Sequence, residues 1–379
     1  MSGFVDKLSG KMVGAARKVK TVTTFPKKVI GISKLIEKPT YYPELERKTK
    51  KEMWKDNFRW LCKYHELNQF YTSYGMDVKD FRGSDGYISH NDFCIMRNAG
   101  NQKNIVSKTG NYNYISLLRD KYVFASYLES TIGKKCIVES KALIENGKAF
   151  IKEKGIWTAI DELLTDGSEL VYKIVDGECA DGVMLVTVSG DKVTVDDHEY
   201  SKKEFVESIR RKRILVQDVV KQHPEICRFG TRSVNTIRIV TIKGKSGKVG
   251  IFSAMLRLSS SADCFVDNRA VGGLGVGINL DSGELMKYGF PHDAFGVKLE
   301  KHPLSNIRFE GFVLPYWNEV KELVKKAHKQ FYGIQSIGWD VVITEDGPVL
   351  LEGNDDWEIS GPQDTSGGLK KKWNELVNG

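Results

Sequence analysis

The chain has 379 residues, 41% hydrophobic and 28% charged, with a formal net charge of +8, an ordinary soluble composition with room for about two to three domains. No run approaches the ~20 apolar residues that span a bilayer, and the first residues lack the apolar core of a secretory signal, so a cytoplasmic protein is expected. Six scattered cysteines without a Cys-x-x-Cys pair, and seven histidines without a helix-spaced couple, speak against a zinc site or disulfide framework and for reduced, mostly buried thiols.

Residues 1–40 form a basic arm. Its first 38 residues hold nine lysines and arginines against Asp6 and Glu37, so seven of the eight net charges sit there. Phe4, Leu8 and Met12 are interleaved with them. Such an arm lies on anionic lipid, meets a nucleic-acid backbone or stays a solvated tail. No nucleic-acid motif follows in the body, so nucleic acid is not expected as a partner, while peripheral membrane contact stays open.

Residues 43–74 place Met53, Trp54, Phe58, Trp60, Leu61, Tyr64 and Leu67 near helical spacing and predict a helical segment. Residues 75–112, broken by Gly75, Gly83, Gly86, Gly100 and Gly110, read as loop. A helix is expected over 116–130 and a short one over 157–164. The chain then turns β-rich, with strands over 169–175, 181–189 and 192–196, a helix over 202–212 and a strand over 213–220. Strands over 235–243, 248–259, 275–280 and 284–289, a helix over 317–331 and a final hairpin complete an α+β pattern with mostly antiparallel sheets.

That hairpin, GWDVVITEDGPVLLEGNDDW over 338–357, holds Asp340, Glu352 and Asn354 among strand residues. If Glu345, Asp346 and Gly347 form a three-residue loop, Thr344 pairs with Pro348 and Asp340 falls opposite Glu352. Asn354, two residues on, then shares their face, and three oxygen donors meet at one sheet end. A two-residue loop would send Asp340 to the other face. Two carboxylates and an amide oxygen suit Mg²⁺, which takes few protein ligands and completes its shell with water and phosphate oxygens. The alternative is a solvated hairpin mouth, which the apolar flanks disfavour.

Lys173 sits mid-strand in VYKIVDGECADGV, before a loop with Gly177 and Gly182. It reads either as a phosphate grip or as a snorkelling lysine in an ordinary hairpin. In SVNTIRIVTI, Arg238 stands on a largely apolar strand face beside Asn235, and Arg257 repeats the arrangement in AMLRLS. Each arginine needs an anionic partner, a buried carboxylate or a ligand phosphate. The glycines of AVGGLGVGINL precede a strand and turn rather than a helix, so a dinucleotide fingerprint fails its context.

These segments, with ILVQDVVKQHP and DNRAVGGLGVGINLDSG, resemble in order the ATP-grasp superfamily, and within it the sugar-transfer-associated branch related to glutamate ligases. The resemblance runs from about residue 116 to 357. It implies an ATP-grasp fold, two α+β subdomains clamping ATP: residues 116–218 with a lid, and 219–379 with the Mg²⁺, ATP and substrate site, after a helical, loop-rich region at 41–115. It further implies that Lys173 and Lys121 hold nucleotide phosphates and that residues 176–182, with Gly177 and Gly182, form the lid. Gln217, Asp218 and Val219 would lie at the adenine-reading hinge, though Gln217 and Asp218 stand where the family often has acidic residues. Asn235 and Arg238 would sit by the transferred phosphate, with Asp340, Glu352 and Asn354 binding magnesium. Arg257, Asp267, Asn268, Arg269 and His292 are placed on the acceptor side.

The expected activity is an ATP- and Mg²⁺-dependent ligase joining a small-molecule carboxylate to an amine through an acyl phosphate, in cell-envelope or exopolysaccharide biosynthesis. A phosphotransferase on the same scaffold, and an inactive nucleotide-binding partner of a membrane glycan assembly, are the alternatives. No protein nucleophile is required.

Overall fold

The computed structural model describes residues 25–81, 83, 86–102, 114–177, 182–230, 233–260, 273–291 and 296–379. Its helical N-terminal region comprises α1 (residues 25–36), α2 (Lys50–Tyr64) and α3 (His90–Gln102). The long helical pattern shrinks to α2 because Thr49 and Glu52 form a capping box at its start and left-handed His65 ends it. α3 occupies part of the stretch read as loop. Its first amides, of His90 and Asn91, bond the Glu66 carboxylate at 3.0 and 2.7 Å, a cap supplied from outside the local sequence.

The helix expected over 116–130 is divided into α4 (Ser116–Arg119) and α5 (Lys121–Ile132). Asp120 breaks it by adopting an extended conformation and capping α5 through the Val123 amide at 2.9 Å.

The first sheet has eight antiparallel strands: β1 (Ser140–Glu145), β2 (Lys148–Ile151), β3 (Ile156–Thr158), β4 (Glu169–Ile174), β5 (Val183–Ser189), β6 (Lys192–Val195), β7 (His198–Ser201) and β8 (Ile214–Asp218). Their spatial order is β3-β2-β1-β8-β4-β5-β6-β7. The short helix expected over 157–164 is instead edge strand β3 followed by a 3₁₀ turn, Ile160–Leu163. One sheet face buries Ala142, Ile144, Tyr172, Val186 and Val216 beneath α6 (Lys202–Ile209), which contributes Phe205 and Ile209.

The second sheet has six antiparallel strands: β9 (Thr236–Lys243), β10 (Val249–Ser259), β11 (Gly273–Ile278), β12 (Leu285–Pro291), β13 (Ser336–Thr344) and β14 (Gly347–Asn354). They lie in the order β12-β11-β10-β9-β13-β14. A short α7 (Pro224–Cys227) leads into it, and α8 (Trp317–His328) packs Val320, Val324 and Ala327 against Ile237, Ile239, Trp339 and Val341. Leu118, Phe124 and Leu128 of α4 and α5 join this same core, although sequence grouped them with the first sheet. On the other face α3 and the C-terminal helices α9 (Ser360–Ser366) and α10 (Lys370–Asn378) close over the sheet. There Phe93, Trp357 and Trp373 bury Val240, Ile242 and Phe252.

The expectation of mostly buried cysteines does not hold for those described. Cys62 and Cys227 are exposed, and Cys94 and Cys136 half-buried, all as free thiols. No helix among the described residues is long and apolar enough to cross a membrane.

Candidate functional site

The hairpin turn contains two residues, not three: Thr344 pairs with Gly347, Ile343 with Pro348 and Val341 with Leu350. Continued unbroken, that register would set Asp340 opposite Leu351. A β-bulge at Leu351 intervenes, and Asp340 lies opposite Glu352 and Gly338 opposite Asn354. The extra residue switches face parity, so Leu350 is buried in the α8 core while Glu352, two residues later, opens on the opposite face. The oxygen triad is therefore assembled by a bulge rather than by loop length.

Pairing extends the row across the sheet. Asp340 is also opposite Arg238 of β9, and Arg257 of β10 lies opposite Thr236, two residues before Arg238. The Arg238 Nε and Nη2 donate to the two Asp340 carboxylate oxygens at 2.5 and 3.0 Å. Arg257 Nη1 reaches both oxygens at 3.3 and 3.2 Å. The anionic partner of both arginines is thus a buried carboxylate, one of the two options open from sequence.

Burial alone would push the Asp340 carboxyl up, but the Arg238 and Arg257 charges outweigh it and hold it well below the usual range. Glu352 goes the other way, pushed up by burial and by the neighbouring Asp340 charge. Asn354 Nδ2 donates to Glu352 Oε1 at 3.2 Å. With that nitrogen committed, its carbonyl oxygen Oδ1 is the atom that would meet a cation. An all-oxygen donor set, with one carboxylate destabilised by the other's charge, fits a small divalent cation such as Mg²⁺.

The cationic side comes from the other sheet and from α5. Lys173, on β4, is largely buried, and burial lowers its pKa to about 8, the Glu352 charge opposing the shift and the Lys121 charge adding to it. Lys121 opens α5; its amide donates to Val175 O at 3.1 Å and its Nζ to Gly177 O. Gly182 closes the loop at φ +71°, and a Cβ there would lie 2.3 Å from Ile174 Cδ1, so only glycine fits. Residues 178–181, the middle of the expected lid, lie outside the described residues, as do Asp267, Asn268, Arg269 and His292 and residues 1–24 of the basic arm.

At the hinge Gln217 is buried, and its Nε2 donates to Val138 O at 3.2 Å. The Asp218 carboxylate pairs with Lys141 at 3.0 Å. Both side chains are therefore engaged within the protein, and Val219 follows, partly buried, just past β8. Asn235 is buried at the entrance to β9. Its backbone is clamped by the Gln222 side chain, which donates to Asn235 O at 2.6 Å and accepts from Asn235 N at 3.1 Å.

A family model described as sugar-transfer associated ATP-grasp matches residues 102–376. The chain belongs to this family. Its ATP-grasp fold is the pair of antiparallel sheets that bring Lys173 of one toward Glu352 of the other. No curated protein matches the sequence. Solved structures that match include an N5-carboxyaminoimidazole ribonucleotide synthetase from Thermotoga maritima, with TM-score 0.34 and 10% identity over 64% of this chain and 43% of that one. An L-amino acid ligase from Bacillus licheniformis gives TM-score 0.37 and 13% identity over 65% and 43%. A D-Ala:D-Ser ligase from Enterococcus faecalis gives 0.39 and 10% over 69% and 62%. The chain spans less than two thirds of the length of each.

Beside the ATP-grasp site the structure engages residues whose roles the sequence did not reveal. Asp355 and Asp356, just past Asn354, pair with Arg119 and Arg97. Gln222 likewise gave no signal, because its partner is a backbone segment.

Proposed function

We propose that the protein is an ATP-dependent carboxylate–amine ligase. The observation that carries this reading is the row Arg257, Arg238, Asp340 and Glu352 across four strands, with Asn354 beside it and Lys121 and Lys173 facing it. Such a site neutralises and aligns a polyphosphate but, among the described residues, offers no activated nucleophile, which suits phosphoryl transfer to a bound acceptor.

Lys121 and Lys173 would hold the nucleotide phosphates, and Arg238 and Arg257, near the buried Asn235, would meet the transferred phosphoryl group. Magnesium, held by Asp340, Glu352 and Asn354, would screen the phosphate charge. A substrate carboxylate attacks the γ-phosphorus of ATP and ADP leaves. An amine then attacks the resulting acyl phosphate, expelling inorganic phosphate and forming the amide. The loop beginning at Gly177 would exclude the water that hydrolyses such an intermediate. The family description supports a place in assembly of sugar polymers, and the basic N-terminal segment supports peripheral contact with anionic lipid.

The test is a mass-spectrometric screen of the purified protein with ATP, Mg²⁺ and pooled amino acids and sugar acids. The ligase reading expects ADP release that needs both a carboxylate and an amine, with ¹⁸O passing from the carboxylate to phosphate. A stable phosphorylated product with no amine requirement would replace it with the phosphotransferase.

A further inference from the structure

The ligand hairpin is fastened to the helical region at both ends. Asn101 of α3 donates from Nδ2 to Ser336 O at 2.9 Å and to Asp355 O at 3.1 Å, and its Oδ1 accepts from Ser336 N at 2.9 Å. One buried amide thus ties the first residue of β13 to the residue just past β14. The Asp355 carboxylate takes Arg119 through both oxygens, from Nε at 2.8 Å and Nη2 at 3.1 Å. Asp355 is buried, whereas the Arg119 side chain is half exposed, so the arginine closes the joint from outside.

Arg119, Asp120 and Lys121 are consecutive, and each holds a different part of the site. Arg119 holds the residue next to Asn354. Asp120 caps α5 and accepts from Arg213 at 3.3 Å, next to the start of β8. Lys121 holds Gly177 at the mouth of the loop after β4. The gap between the lysine grip and the amide ligand is therefore spanned by one bidentate ion pair, whose two rigid hydrogen bonds fix angle as well as distance.

We propose that Arg119 and Asp355 are a positioning pair that sets Asn354 and Glu352 at the correct spacing from Lys121, so that metal and nucleotide bind as a unit. In this role neither residue need touch nucleotide; they act through the neighbours they hold. The inference rests on the ATP-binding reading above.

The experiment uses the full chain, ADP, and Mn²⁺ as the probe metal. Mn²⁺ affinity for the ADP-loaded protein is measured by electron paramagnetic resonance titration. The variants are Arg119→Gln, Arg119→Lys, Asp355→Asn and the double Arg119→Gln/Asp355→Asn. Each of Arg119→Gln and Asp355→Asn is expected to weaken Mn²⁺ binding about tenfold, the scale of losses when a group orienting a ligand is removed. The double variant should be no worse than the poorer single, and Arg119→Lys should recover part of the loss. A purely structural role lowers the melting temperature and the fraction of competent sites but leaves the affinity of folded molecules unchanged. Should Asp355→Asn fail to fold, the half-exposed Arg119 still gives a soluble test. Unchanged affinity in the folded single variants, or losses that add in the double, overturns the pairing. Wild-type protein that binds no ADP overturns the nucleotide reading instead, and the two failures are read on different titrations.

Discussion

Arg238 grips Asp340 from the adjacent strand with two parallel hydrogen bonds, while Glu352, opposite Asp340 on the other side, carries a raised pKa. The two carboxylates are thus unequal: one is compensated by arginine, and the other is the one that the proposed cation would neutralise. Removing each has a different consequence. Asp340→Asn strands two guanidinium groups in a buried site and should destabilise the fold by about 3–5 kcal/mol, the usual cost of breaking a buried pair. Glu352→Gln removes a repelled charge and keeps the shape, so its melting temperature should equal or exceed that of the wild type. ATP-dependent turnover should nevertheless fall roughly 100-fold. Thermal melts beside turnover assays decide, and full activity in Glu352→Gln would remove Glu352 from the metal site.

Lys173 has a pKa lowered to about 8, chiefly by burial. A phosphate grip needs the ammonium form, so nucleotide affinity should be flat below pH 8 and fall about tenfold per pH unit above it. Lys173→Arg stays charged throughout and should lose the break. The sign for folding is separate. The unfolded lysine, near 10.5, binds more protons between pH 8 and 10.5, so this residue makes the fold more stable as pH rises there. Calorimetric ADP titrations from pH 6.5 to 9.5 check the first statement; an equal break in Lys173→Arg would assign it to another group.

Gly353 lies between the two proposed metal ligands of β14, Glu352 and Asn354. A Cβ on it would stand 2.9 Å from Leu118 Cδ2 and 3.2 Å from both Phe124 Cε2 and Trp339 Cζ3. Helices α4 and α5 press on the strand from beneath, and only the missing side chain lets them approach. Gly353→Ala should cost about 1–3 kcal/mol by overpacking. It should also weaken Mn²⁺ binding by displacing the flanking ligands, with partial recovery in Gly353→Ala/Leu118→Val. Urea unfolding and metal titration measure the two effects. Intact metal affinity in a destabilised Gly353→Ala would separate packing from ligand placement.

The sequence displayed the ligand types and hid the device that aligns them. Two apolar runs around an acidic turn marked β13 and β14, and the two carboxylates and amide among them marked the candidate site. The two-residue turn needs a bulge at Leu351 to bring Asp340 opposite Glu352, and a bulge leaves no signature in composition. Arg238 and Arg257 announced themselves as charges on apolar strands, but only strand order names Asp340 as their shared partner. Asp355 showed no role in the sequence because its partner Arg119 lies 236 residues away. α3 was lost because its polar, glycine-bearing sequence is capped by Glu66 from a distant loop.

Behind the charge row, His328 of α8 is fully buried. Its Nε2 faces Ile334 O at 3.0 Å, and that carbonyl only accepts, so Nε2 carries the proton. Nδ1 then accepts from the Thr241 hydroxyl at 2.7 Å, whose oxygen accepts from Trp339 Nε1 at 2.7 Å. This chain joins α8 to β9 and β13 on the sheet face opposite Arg238 and Asp340, and it requires a neutral imidazole. Burial lowers the His328 pKa to about 3, from the 6.5 of an exposed histidine. The unfolded chain therefore takes up a proton below pH 6.5 that the folded chain refuses. The stability tied to His328 is whole above 6.5 and is lost progressively as pH falls toward 3. Between pH 7 and 5 the loss should be about 2 kcal/mol, provided the folded pKa stays below 5. Other groups titrate over the same range; His302, also lowered by burial, adds to the loss, whereas the raised Glu352 opposes it. The difference between wild type and His328→Gln isolates the effect. Urea unfolding at pH 7, 6 and 5 should show the wild type losing about 2 kcal/mol more than the variant. Parallel slopes would mean that the imidazole is charged in the folded protein, and that the relay from Trp339 through Thr241 does not hold α8 against the sheet.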